Sequence, residues 1–315
     1  MNHRHSLWLR AAFILVIITL ANGTGANAAG FSLPGKDLIP AAVKDRIPVL
    51  GKDFQVLPNP AIDALAKSFY YHWIIAKAEQ ENKIVNDPRL TDPVKRAWDN
   101  IKEAAIRSKY GKTAKEFEWD LRLIRDDTME NAFTWPGGKT AVYTGILPIA
   151  KNEAGLAFIL AHEATHALAR HAARRIDRDV IASLPIASLV GGTILDPKTL
   201  KPEVTTPIMA ALGMGVVVGI DRPLAQEHEL EADREGLLLA AAAGYDPSEG
   251  MLFWSRLSKP SGAKPKYLSA HPSDATRLKA LDDQLDEFVK VYNQAKVKQD
   301  SLVLLPALQG KSASR

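Results

Sequence analysis

From Leu156 to Leu168 the chain is apolar except where His162-Glu163-Ala164-Thr165-His166 interrupts it. Asn152 stands ahead of this run as an N-cap, and the pattern predicts a helix from Glu153 to about Arg175. Burying two imidazoles and a carboxylate in such a helix without partners would be costly, so the fold must supply partners. Residues four apart share a helix face, so His162 and His166 can hold one metal ion through their ring nitrogens. Glu163 lies one step round, within reach of a water on that ion. Zinc lowers the pKa of such a water toward 7, and an adjacent carboxylate completes a hydrolytic pair. The competing reading is two core histidines beside a surface glutamate.

The chain has no cysteine among its 315 residues, so any metal must be held by His, Asp or Glu. The same absence excludes a disulfide framework, a thiol nucleophile, an iron–sulfur site and a lipoprotein anchor. A net charge of +4 with no dense Lys/Arg block gives no reason to expect nucleic acid as a partner. The best candidate for a third ligand lies in Glu229-Leu230-Glu231-Ala232-Asp233. Glu229 and Asp233 share a helix face. Glu229 can bind the metal while Asp233 accepts a hydrogen bond from the far nitrogen of a ligating histidine. His228 is a rival ligand one step away, and Glu231 points off that face toward solvent. His171 lies roughly 140° round the helix from His166 and reads as structural. His72 has no companion ligand nearby and reads as a packing or surface residue.

The first 28 residues read as a secretory signal. Arg4 and Arg10 precede an apolar stretch from Ala11 to Ala21, and Ala26-Asn27-Ala28 fits a cleavage site. An uncleaved anchor is the alternative, but the apolar stretch is short of the ~20 residues that span a bilayer. Loss of Arg4 and Arg10 would leave a charge of +2. Residues 29–86 form a lead segment, extended and rich in Pro and Gly from Phe31 to Pro60, then helical from Ala61 to Asn82. The catalytic domain is expected over 87–298, with a loose tail at 299–315. Helices are predicted over Asp92–Lys109, Leu224–Ala243 (stopped by Gly244), from Asp246-Pro247-Ser248-Glu249 onward, and over Ser273–Lys296. Phe117–Arg125 alternates like a half-buried strand, and Trp135-Pro136-Gly137-Gly138 joins Asn131–Thr134 to Thr140–Tyr143 as a hairpin. The fold class is therefore α+β, mainly helical with a small sheet beside the metal-site helix.

Sixty-two residues separate His166 from Glu229. Within them Val180–Leu195 and Val204–Ile220 carry no charge, and Asp196, Lys198, Lys201 and Glu203 lie between. Residues 180–220 read as an apolar helical hairpin, either covering the core or acting as a lid or membrane-touching flap.

Four ordered blocks resemble the gluzincin (zincin-like) metallopeptidases grouped with the CAAX prenyl protease, HtpX, the mitochondrial Oma-type protease and the exported proteases BepA and LoiP. They are Asn131-Ala132-Phe133 with Pro136-Gly137-Gly138, His162–His166 continuing to Arg170-His171, Glu229–Asp233 followed by Ala243–Pro247, and Ser269–Pro272 with Arg277. Gln226 and Ala270 depart from the family pattern, where arginine and threonine are usual. The resemblance implies that His271 stabilises the developing oxyanion or closes the site as a fourth ligand. It further implies that Arg277 holds charge or positions the loop, and that the strand at Asn131, Ala132 and Phe133 pairs with an extended substrate. The expectation is an exported, periplasmic zinc endopeptidase with one Zn2+ per chain, acting on unfolded or misassembled envelope polypeptides. The alternative is a metal-stabilised chaperone or binding protein with a blocked site. An aminopeptidase is disfavoured because no acidic cluster for a substrate amine is evident.

Overall fold

A computed structural model describes residues 59–175, 226–258, 266–271, 275–300 and 304. The expected signal (1–28), the extended lead up to residue 58, the apolar hairpin 180–220 and nearly all of the 299–315 tail lie outside the described residues. Among the described residues, no helix is long and apolar enough to cross a membrane.

The lead helix is built in three parts: α1 (Asn59–Phe69), a π-helical turn (Tyr70–Ile75) and α2 (Ala76–Gln80). The wider turn keeps Tyr70, Ile74 and Ile75 all buried, and the Tyr70 hydroxyl donates to the Thr140 carbonyl at 2.6 Å. Helix α3 (Pro88–Arg107) starts four residues before its expected position. Asp87 accepts from the Arg89 N–H and Pro88 takes the first turn, where a missing N–H does no harm. Its stripe of Leu90, Val94, Ala97, Trp98, Ile101 and Ala105 enters the core. After the short α4 (Gly111–Glu116), strand β1 (Asp120–Ile124) is shorter than the alternation suggests. Trp119 drops out of the strand because its indole packs edge-on against Trp98 and donates to the Ala114 carbonyl.

Strands β2 (Ala132–Trp135) and β3 (Lys139–Tyr143) form the expected hairpin. Pro136 and Gly137 occupy the corner; Gly137 has φ +76°, which glycine adopts without strain. The sheet order is β1-β3-β2, with β1 parallel and β2 antiparallel to the central β3. The Tyr143 N–H donates to the Asn131 carbonyl, which sets the antiparallel phase so that Ala132 and Thr134 direct their backbone groups away from β3. That outer edge runs beside the metal-site helix.

A 3₁₀ turn (Thr144–Ile146) and α5 (Leu147–Ala150) lead to Asn152, whose side chain accepts from the Gly155 N–H at 2.8 Å and starts α6 (Glu153–Leu168). Every residue of α6 is buried. The helix stops earlier than expected, because Arg170 adopts φ +59° and turns the chain into α7 (His171–Arg175). Arg170 is held there by an ion pair to Asp63 on α1. Helix α8 (Gln226–Ala242) ends at Gly244, φ +92°, as the sequence predicts. Asp246 caps α9 (Ser248–Ser258) by accepting from the Ser248 N–H. Then come α10 (Lys266–Ala270), α11 (Ala275–Asp282) and α12 (Leu285–Gln294). The single helix expected to run to Lys296 is broken at Asp283-Gln284. The Gln284 amide donates to the Ala280 carbonyl, while its backbone N–H takes Leu281 instead.

Helix α6 is the centre of the core, flanked by α3, α8, α9 and β2. Gly236 of α8 stands hard against α6: a Cβ there would lie 2.9 Å from both Cα and N of His162. These are backbone atoms that cannot step aside, so glycine permits the two helices to touch where the histidine stands. At the other end of α6, Glu153 is buried and held by Arg96 and by the Tyr245 hydroxyl at 2.9 Å. We expect Gly236→Ala to destabilise the fold by about 1–3 kcal/mol through overpacking, measured by urea unfolding.

Candidate metal centre

The α6–α8 contact brings together His162, His166 and Glu229, with His271 arriving from the end of α10. Their donor atoms lie within 4.8 Å of one another and all four residues are buried. Nε2 of His162 and Nε2 of His166 are 3.0 Å apart. Glu229 Oε1 is 3.4 Å from His166 Nε2, and Oε2 is 3.6 Å from His162 Nε2. Four donors at about 2.0–2.1 Å from a tetrahedral ion stand about 3.3 Å apart, so this spacing suits zinc. Two imidazole nitrogens aimed at each other at this distance can share one proton at most. An ion between them satisfies both lone pairs, and the donor set fits a metal.

Each ligand candidate is held from behind. Nδ1 of His162 lies 3.0 Å from Asp233 Oδ1, the contact expected from the four-residue spacing of Glu229 and Asp233. Arg277 is 1 % exposed and forks onto Asp233 at 2.7 and 2.8 Å, while its remaining nitrogen reaches Glu229 Oε2 at 2.8 Å. Its plane lies over the Trp254 ring at 4.2 Å. Arg277 thus touches the two carboxylates and positions them; it does not reach into the space between the donors. Burial pushes His162 down, but the adjacent carboxylates of Asp233 and Glu229 outweigh it and lift its pKa to about 9. His166 is pushed well below its ordinary value by burial. For Glu229 burial acts upward, yet the neighbouring His271 and His166 hold its carboxyl well below the usual range.

Glu163 is on the same helix but faces the other side of His271. Its Oε1 accepts from the Tyr267 hydroxyl at 2.8 Å and lies 3.4 Å from His271 Nε2. Burial raises its pKa, the direction that suits a group which takes up a proton. His271 presents Nδ1 to the donor set, 3.3 Å from His162 Nε2 and 3.1 Å from Glu229 Oε2. Its ring stacks on Tyr267 at 4.5 Å.

The edge-strand residues are close by but fully enclosed: Asn131, Ala132 and Phe133 are each at most 4 % exposed. The Asn131 side chain accepts the outward N–H of Ala132 at 3.0 Å, so Asn131 shapes the edge. The outward groups then left on β2 are the carbonyls of Ala132 and Thr134 and the Thr134 N–H.

Sequence reasoning missed Tyr267, although its i,i+4 relation to His271 places the two on one helical face. It also set aside two residues that the structure brings in. His171 is buried against His166, with the two Nδ1 atoms 2.8 Å apart. Glu231, expected in solvent, is only one-third exposed and lies 3.0 Å from His171 Nε2, whose hydrogen bond holds its carboxyl down to about 2. His228, the rival ligand, is buried but stacks flat on His171 and stands outside the donor set.

These features define a metallopeptidase, and residues 95–285 match peptidase family M48. The chain belongs to that family. Relatives include the mitochondrial metalloendopeptidase OMA1 of Schizosaccharomyces pombe, 35 % identical over 55 % of this chain and 48 % of its own length. The OMA1 protein of Saccharomyces cerevisiae is 27 % identical over 80 % of this chain and 72 % of its own. The beta-barrel assembly-enhancing protease of Escherichia coli is 29 % identical over 62 % of this chain and 39 % of its own. The chain thus spans about half of the S. pombe relative's length.

Removing Arg277 strands two buried carboxylates. Arg277→Met is expected to cost about 3–5 kcal/mol in denaturant unfolding, with Arg277→Lys intermediate because it cannot fork.

Proposed function

We propose that this protein is an exported zinc endopeptidase that cleaves unfolded or misassembled polypeptides in the periplasm of a Gram-negative envelope. The observation that carries the reading is the pairing of the donor set of His162, His166 and Glu229 with Glu163, a buried carboxylate beside but outside it. Zinc, one per chain, would supply Lewis acidity to the scissile carbonyl and to the attacking water. Glu163, oriented by Tyr267, takes the proton of that water and returns it to the leaving amine. An extended substrate is proposed to pair with the outward carbonyls of β2, an edge that is enclosed in this structure and has to be uncovered for it. Asp233 and Arg277 keep His162 and Glu229 aimed. Export is supported by the signal-like residues 1–28, and an envelope role by similarity to an enzyme named for β-barrel assembly. Residues 180–220, apolar and adjacent in sequence to both metal blocks, are the segment proposed to touch the membrane.

A second reading is favoured by one contact. His271 Nδ1 lies among the donors, the place a blocking fourth ligand would take. A protein silenced in this way would bind polypeptides without cutting them until His271 withdraws.

The test is zinc-loaded protein incubated with an unfolded polypeptide, products read by mass spectrometry. Glu163→Gln is expected to keep its zinc and lose about 10²–10⁴-fold in cleavage rate, whereas His166→Ala loses both. Cleavage by Glu163→Gln at the wild-type rate would refute the mechanism. His271→Ala separates the readings: cleavage rises if His271 blocks the site, and falls by about 10²–10³-fold if it stabilises the oxyanion.

A further inference from the structure

We propose that Glu231 and His171 form a positioning relay that fixes the tautomer and ring orientation of His166, so that its metal-facing nitrogen is always the bare one. The inference rests on the reading of His162, His166 and Glu229 as metal ligands, and extends it to two residues outside the donor set.

The chain of contacts admits one proton arrangement. His166 turns Nε2 toward His162 Nε2 and Glu229, at 3.0 and 3.4 Å. To offer a lone pair there, a neutral His166 must carry its proton on Nδ1. Nδ1 lies 2.8 Å from His171 Nδ1. One of these nitrogens donates and the other accepts, so His171 Nδ1 is the acceptor. The proton of His171 is then on Nε2, which faces Glu231 Oε2 at 3.0 Å. A carboxylate accepts only, so it favours this direction over the reverse. With the order reversed, His171 would present an N–H to His166, and the proton of His166 would be driven to the metal side.

The relay is walled in. His171 is wholly buried, and His228 lies parallel to it, with ring centroids 4.2 Å apart and planes 6° apart. Glu231 is drawn into place by the Tyr110 hydroxyl at 3.4 Å and by Arg174 at 3.6 Å. The geometry depends on the break between α6 and α7. In a continuous helix His171 would point roughly 140° away from His166. Arg170, with φ +59°, folds His171 back against it. The two histidines of the site are therefore served differently. His162 meets the Asp233 carboxylate directly, and His166 reaches a carboxylate through an intervening imidazole.

The experiment measures zinc release from the full-length zinc-loaded protein to excess chelator, alongside its thermal unfolding. His171→Phe keeps an aromatic ring against His228 but cannot accept a hydrogen bond. It should speed zinc loss about 10–100-fold, the usual effect of losing a partner of a ligating histidine. His171→Asn places an acceptor oxygen near the position of Nδ1 and should recover most of that loss. Glu231→Ala, at a partly exposed position where folding is safe, should speed release about tenfold. The proposal is overturned if His171→Phe and Glu231→Ala release zinc within twofold of wild type. It is equally overturned if His171→Asn is as leaky as His171→Phe, since packing alone would then explain the effect. A wild-type chain that takes up no zinc would sink the ligand assignment itself, and this inference with it.

Discussion

Two carboxylates and an arginine, all buried, determine where everything else can stand. Glu229 and Asp233 come from adjacent turns of α8, and Arg277 of α11 bridges them. Two carboxylates buried this deeply need partners, and they find the guanidinium on one side and the α6 histidines on the other. The cation is itself backed by the face of Trp254. This arrangement fixes the spacing and rotation of α8 against α6, and the absence of a side chain at Gly236 lets the backbones come close enough to use it. A well-packed apolar interface would hold two helices together as firmly, but it would not set the two oxygens of one carboxylate against two imidazole nitrogens.

From this contact the division of labour across the centre follows. The donors lie on one side of His162 and His166, their supports on the other. Glu163 is one residue along, excluded from the donor set by helix geometry and tied to Tyr267. His271 stands between the two groups, with one nitrogen toward the donors and the other toward Glu163. A small displacement of its short helix would alter both relations together. The sheet contributes a single edge, laid along α6 so that β2 can present main-chain groups beside the metal-site helix.

Much of this was legible in the sequence, and the reasons are local. Helix periodicity alone places His162 with His166 and Glu229 with Asp233, because each pair is four residues apart. Asn152, Gly244 and Asp246 mark helix ends by chemistry that acts within three residues. The Pro136-Gly137 corner marks its hairpin in the same way. The misreadings arose where a distant contact overrides local pattern. Periodicity carries α6 through to Arg175 and aims His171 away from the site. The chain instead reverses at Arg170, whose left-handed backbone is anchored by Asp63, more than one hundred positions earlier. Glu231 then has a buried partner that no spacing rule links to it. Tyr267 was overlooked for a different reason: its role depends on the fold of a short helix that carries few signals of its own. Arg277 shows the converse, a residue whose importance was suggested by resemblance and whose contacts only the tertiary structure supplies.

The central claim is that one ion is held between α6 and α8 by His162, His166 and Glu229. Anomalous diffraction at the zinc absorption edge, on crystals of the purified protein, tests it directly. The account predicts one strong peak about 2.0–2.2 Å from His162 Nε2, His166 Nε2 and a Glu229 oxygen. A peak at another set of side chains, or none in protein that still cleaves polypeptides, would contradict it.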